Sequence, residues 1–284
     1  MISTPSLTAI QLTSSSLDSL VKEINDKAGK MALWPGMATL AVVSLLFAAV
    51  EWDNGLVASV LSGVASIATC MATAWVFFWD SARRSTVLFY DLDTVSEQAF
   101  SSLADGVAKL AACGGKWRID ASGRVLDRKY HAGASSLVQR KPLQLGVGPF
   151  SKVKCNLDVP YIVAGTSTLY FCPDHLFMVT GNRFAAIEYD ELNIRVGSTR
   201  FVEGDSVPGD ATVVGHTWQY VNKSGGPDRR FKNNRQLPVV CYDELFLNST
   251  SGLTEVLQFS STGVANLFYQ AAHPLMSLPR KHRP

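Results

Sequence analysis

The sequence predicts an α+β chain in which a transmembrane α-helical hairpin and a stalk helix precede a β-rich domain closed by a C-terminal helix. Three observations carry this prediction. Two uncharged apolar runs, Met31 to Val50 and Leu56 to Trp79, are separated only by Glu51-Trp52-Asp53-Asn54-Gly55. A stripe at helical spacing follows, with Leu92, Val95, Phe100, Leu103, Val107 and Leu110 on one side, and ends at Gly114-Gly115; this helix can continue the second run as a stalk, and its stripe is expected to be buried against the following domain rather than to join partner helices. Beyond Gly115 the apolar period shortens to two and turn residues recur, at Gly146-Val-Gly-Pro, Thr180-Gly-Asn, Pro208-Gly-Asp and Ser224-Gly-Gly-Pro-Asp. The segments expected are an N-terminal amphipathic helix (1–30), the hairpin (31–84), the cytosolic stalk (85–113) and the β-rich domain (114–284).

Composition agrees. Hydrophobic residues make up 47% of the 284 and charged residues 18%, which excludes a disordered or collagen-like chain. The net charge of +2 hides an asymmetry: Met1 to Cys113 holds 6 basic and 10 acidic residues, Gly114 to Pro284 holds 20 and 14. The five cysteines are widely and irregularly spaced, so neither a disulfide framework nor a CxxC zinc site is expected, and a reducing compartment is.

Before the first apolar run, Ser16 stands as a helix cap ahead of Leu17, Leu20, Val21 and Ile24, with acids early and lysines late. This amphipathic helix either anchors at a membrane surface or packs on the protein's own domain. Each apolar run is long enough to cross a hydrocarbon core of roughly 30 Å at about 1.5 Å per residue. The acidic connection between them, with its Asn-Gly turn, makes the pair antiparallel. Lys27 and Lys30 before the first run and Arg83 and Arg84 after the second are the membrane-flanking cations, and the connection has none. Both termini are therefore expected on the cytoplasmic side of an inner (plasma) membrane. Ala58, Ser59, Ser62, Gly63 and Ser66 give the second run a small-residue surface suited to helix packing, including packing in a homo-oligomer.

Strands are expected over 116–120, 153–159, 168–172, 175–180, 183–188, 193–201, 213–221 and 239–247, with a last helix over about 261–272. The stretch from Thr168 to Val196, TLYFCPDHLFMVTGNRFAAIEYDELNIRV, resembles the hairpin repeat of bacterial pleckstrin-homology-like (PH-like) and GRAM-like domains, which also end in a helix. Three further blocks, Val87 to Ile119, His131 to Arg140 and Gly215 to Leu247, resemble bacterial membrane-anchored proteins of unassigned function. The resemblance implies a PH-like cytosolic domain on a two-helix hairpin and no transferable reaction. The insertion from Lys223 to Leu237 departs from the small PH pattern and leaves the strand order open.

The chemistry-bearing feature is the segment Lys223 to Arg235, where Lys223, Arg229, Arg230, Lys232 and Arg235 face a single acid, Asp228. Arginine forks suit phosphate and carboxylate, so these five residues are the candidate contacts for an anionic headgroup or a partner protein. The alternative is that Asp228 staples the arginines into an internally paired loop. A second basic tract, Lys116 to Lys154, and the tail Arg280-Lys-His-Arg add to the charge. Nucleic-acid binding lacks a recognisable motif.

Catalysis is not expected. Cys172-Pro-Asp-His175 has metal-like spacing without a third nearby ligand; Asp190-Glu191 pairs two acids at a strand edge; His216, Trp218 and Tyr220 alternate along one strand as a pocket wall or an aromatic core. No metal or cofactor is expected. The functional expectation is a membrane-anchored, cytosol-facing binding or scaffold protein that recognises an anionic membrane surface, a headgroup or a partner protein, in envelope sensing or defence. The alternative is a self-assembling membrane effector that alters permeability.

Overall fold

The computed structural model of the chain describes residues 2–3, 18–50, 55–124, 136–151 and 153–278. Its elements in chain order are β1 (Ile2–Ser3), α1 (Asp18–Ala28), α2 (Trp34–Val50), α3 (Leu56–Arg84), β2 (Thr86–Leu88), α4 (Thr94–Ala111), β3 (Lys116–Arg124), β4 (Ser136–Pro142), β5 (Gln144–Gly148), β6 (Val153–Cys155), β7 (Val159–Ala164), β8 (Ser167–Phe171), β9 (His175–Thr180), β10 (Arg183–Glu188), β11 (Leu192–Val202), β12 (Thr212–Trp218), β13 (Gln236–Ser249), β14 (Thr254–Phe259) and α5 (Val264–Ser277). The chain divides into a helical unit, Lys22–Leu88 with Ser151–Lys154, and a β-rich unit that holds the rest.

In the helical unit α2 and α3 pack side by side in opposite directions. Hydroxyls join them: Ser44 and Thr69 lie 2.7 Å apart, Ser66 donates to the Ser44 carbonyl at 2.9 Å, and Thr73 donates to that of Met37 at 3.1 Å. Asp80 closes the same seam. Its fully buried carboxylate accepts from the Leu33 amide at 3.1 Å and from Arg83 at 2.7 Å, with Arg84 at 3.3 Å. Arg83 also donates to the Met31 carbonyl and lies over the Trp79 ring.

One helix among the described residues is long and apolar enough to cross a membrane, within Val57–Arg84 of α3. Where the sequence predicts two spans, the second the longer, the structure has one helix of spanning length and a shorter apolar partner. Helix α2 has 17 residues, about 26 Å at 1.5 Å per residue, because Met31 to Leu33 stay outside it and Pro35 falls in its first turn, where a missing N–H costs nothing. The connection Glu51 to Asn54 and the expected cap Ser16 lie outside the described residues.

The helix expected after the second run does not continue it as one stalk. Helix α3 ends at Arg84, Ser85 is extended, and a short strand follows. Helix α4 starts afresh at Asp93, whose side chain accepts the Ser96 amide at 2.8 Å. Its stripe is buried in the β-rich unit, which therefore begins before residue 114: Phe100, Leu103, Val107 and Leu110 share one core with both sheets and α5.

Strands β5, β7, β8, β9 and β10 form a five-stranded antiparallel meander in the order β10-β9-β8-β7-β5. The larger sheet runs β1-β3-β14-β13-β11, with β4 added on β3 and β12 on β13. Helix α4 lies on β5 and β7 and α5 on β11 and β13, and the helices pack on each other. Gly106 permits that approach, since a Cβ there would come within 2.8 Å of the Ala271 Cβ.

The expected strands over 175–180 and 183–188 match β9 and β10, because a Gly181-Asn182 turn separates two uninterrupted apolar runs. The expected strand over 153–159 divides into β6 and β7 around Asn156, whose amide brackets the Tyr90 backbone at 2.9 Å on both sides. Strand β14 escapes periodicity because it buries Glu255 and Gln258 among its apolar residues.

Replacing Gly106 by valine should cost about 1–3 kcal/mol through overpacking against α5. It is measured as a fall in the chemical-denaturation midpoint, and an unchanged midpoint would mean that α4 and α5 are not held this closely.

Candidate functional site

The segment between β12 and β13 is the basic loop, and it is built on its own hydrogen bonds. The Gln219 amide donates to the Arg235 carbonyl at 2.9 Å, and Asn234 receives the Tyr220 amide at 3.0 Å while donating to the Tyr220 carbonyl at 2.8 Å. Tyr220 stacks on Phe231 with ring centroids 4.1 Å apart. At the tip, the Asn222 amide donates to the Gly226 carbonyl at 2.8 Å, and the Asn222 side-chain oxygen accepts from the Ser224 and Gly226 amides. Gly225 takes φ +84°, a left-handed turn conformation that favours glycine.

Asp228 is buried beneath the loop and grips Arg230: its carboxylate accepts the Arg230 backbone amide at 3.1 Å and the guanidinium Nε at 3.0 Å. Arg235 donates to the Gly204 carbonyl at 3.3 Å. The internal pairing holds for part of the set. Arg230 and Arg235 staple the loop, although both keep solvent exposure, while Lys223, Arg229 and Lys232 are exposed on the scaffold so formed.

In the second basic tract Lys116, Arg118, Arg140 and Lys141 are engaged within the protein, while Lys154 is exposed. Lys116 caps the end of α4, donating to the Ala111 and Cys113 carbonyls at 2.7 and 2.9 Å. Arg118 forks onto Glu255 at 2.6 and 3.1 Å, and Asp120 takes both Arg118 and Lys141. Arg140 makes a bidentate pair with buried Glu203, at 2.9 and 3.2 Å, and is sandwiched between Trp117 and Phe201, 4.4 and 4.0 Å from the ring centroids. Tyr242 donates to Glu203 at 2.8 Å; burial and this carboxylate push its hydroxyl pKa up. Sequence reasoning missed this cluster because its members lie far apart in the chain. The flanking cations are also engaged: Lys27 pairs with Glu23 at 2.7 Å and Arg83 and Arg84 with Asp80, while Lys30 is exposed. The Asp80-x-x-Arg83-Arg84 spacing, one helical turn, was the available signal. The tail cations 280–283 lie outside the described residues.

The remaining sequence candidates dissolve into local structure. Cys172 to His175 is the turn of the β8–β9 hairpin, its ends joined by the Cys172 amide and the His175 carbonyl at 3.0 Å. Among the described residues no group of three or more His, Cys, Asp or Glu could hold a metal. Burial, reinforced by Asp174, pushes the Cys172 thiol pKa well up, and burial does the same to Tyr90, whose hydroxyl donates to Asp174 at 2.8 Å. Glu191 accepts from Ser251 at 3.2 Å beside the β10–β11 turn. Strand β12 stops at Trp218, so Tyr220 leaves the expected wall with His216 and joins Phe231 in the loop.

Two outcomes follow. Arg140→Met should destabilise the protein by about 3–5 kcal/mol, since Glu203 is left buried and unpaired, and adding Glu203→Leu should restore much of the loss; equal stability of both variants in denaturant melts would contradict the buried pair. Cys172 should resist maleimide in the native protein at neutral pH and react after unfolding, as read by mass spectrometry. Comparison with protein-family models, curated proteins and solved structures finds no match.

Proposed function

We propose that this protein is a membrane-anchored binding module whose β-rich unit recognises an anionic membrane surface through the basic loop, 219–235. The observation that carries the reading is a loop fastened by its own side chains that leaves Lys223, Arg229 and Lys232 exposed. Helices α2 and α3 are the anchor, a hairpin with both termini on the cytoplasmic side of a bacterial inner membrane. The lysines before α2 and the arginines ending α3 support that orientation. The resemblance to PH-like and GRAM-like domains supports a binding rather than a catalytic role. Each basic residue near an anionic leaflet contributes about 1 kcal/mol, an attraction that salt screens within about 10 Å.

A second reading, self-assembly in the bilayer that alters permeability, is favoured by an apolar groove of about 400 Å³ between α2 and α3, lined by Trp34, Ala41, Cys70, Ala74 and Phe77. A strictly monomeric mass in detergent would exclude it.

The test uses the full chain in lipid nanodiscs. Hydrogen exchange across 219–235 should slow in anionic discs relative to neutral ones, less so at high salt, and the difference should vanish with Lys223→Glu, Arg229→Glu and Lys232→Glu combined. Identical exchange in both lipids would overturn the reading.

A further inference from the structure

We infer that the outer edge of β11 is a docking site for an extended acidic peptide from another protein, taken up as an added strand of the larger sheet. Strand β11 has 11 residues and pairs along its whole length with β13 on one side. On its other side no strand lies among the described residues. An antiparallel edge of that length, about twice the usual strand, presents backbone N–H and C=O groups over roughly 35 Å to any chain that can pair with them. Natural edges are usually blunted by lysine, proline or a bulge. Strand β11 has neither residue and keeps continuous register with β13, and its exposed positions include Asn193, Val196 and Ser198.

The chemistry along this edge selects the occupant. At its start a cleft of about 280 Å³ opens between β11 and α5, lined by apolar Leu192, Ile194 and Met276 and by polar Asn193, His273 and Ser277; it has room for one large side chain. The only charges on the strand are Arg195 and Arg200, both exposed. Just past its end, Arg235 donates to the Gly204 carbonyl. Because strand side chains alternate, Arg195 and Arg200 flank this edge on opposite faces of the sheet.

An incoming strand with an apolar anchor and acids opposite the arginines satisfies backbone, pocket and charge together. A second copy does not. In antiparallel self-pairing with Leu192 opposite Val202, the same four cations crowd one ladder, and a slip of one residue sets Arg195 directly against Arg200. This site is independent of the membrane reading, which rests on Lys223, Arg229 and Lys232.

The experiment pans displayed random decapeptides against the full chain in neutral nanodiscs, with empty discs as counter-selection. Enriched peptides should be rich in Asp and Glu, alternate with β-branched residues and carry one large apolar residue. A synthetic copy of the enriched peptide should slow hydrogen exchange in residues 192–202. Arg195→Glu with Arg200→Glu should weaken it by about tenfold or more, Arg195→Gln with Arg200→Gln by less, and Lys223→Glu with Arg229→Glu by about twofold at most. Absence of enrichment, enriched peptides without acidic excess, protection elsewhere in the chain, or indifference to reversal of Arg195 and Arg200 would each overturn the proposal. A loss of lipid-dependent exchange at 219–235 with peptide binding intact would instead count against the membrane reading alone.

Discussion

The contact of α4 with α5 at Gly106 and Ala271 links the two sheets of the β-rich unit. Each helix lies on a different sheet, α4 on the five-stranded meander and α5 on the larger one, and their shared seam makes a single core from Phe100 and Leu110 through Phe171 and Leu245 to Phe268. The position of β11 follows from it. Strand β11 is held by α5 on its core face and by β13 along one side, so the cleft beside Leu192 and the free edge beyond it exist because α5 sits where α4 places it.

Charge in this protein separates into two populations with different physics. Arg118, Arg140 and Asp80 are buried or nearly so and are matched by carboxylates, backbone groups or aromatic faces at hydrogen-bond and stacking distances. Desolvation makes such groups costly to leave unpaired, so they fix structure and are unavailable to a ligand. Lys223, Arg229 and Lys232 are solvated, contribute little to folding, and retain their full reach toward an external anion. The loop Val221 to Arg235 holds both kinds a few residues apart: Asp228 and Arg230 make the scaffold, and the neighbouring cations face outward.

Much of the architecture was legible in local pattern. The stripe of α4, the apolar run of α3, the hairpin of β9 and β10 and the C-terminal helix all follow from the spacing of apolar residues against turn residues, which is a short-range property. The unread elements have non-local causes. Strand β14 hides because Glu255 is admitted to the interior by Arg118, 137 residues away. The break between α3 and α4 was not read, because a stripe of apolar residues states that a face is buried without stating where the preceding helix ends. The basic tract at Arg118 and Arg140 looked like a docking surface, since its partners Glu203 and Glu255 lie on strands brought near only by the larger sheet.

By itself, then, the sequence determined the main helices, the run of strands from β8 to β11, and that cationic side chains cluster between Lys223 and Arg235, because each depends on residues within a turn or two of one another. Only the tertiary structure decided which cations are internal ties and which face solvent, and that one long strand keeps an open edge beside a cleft. Pairing and exposure are set by neighbours dozens of residues away in the chain, and no local pattern encodes them.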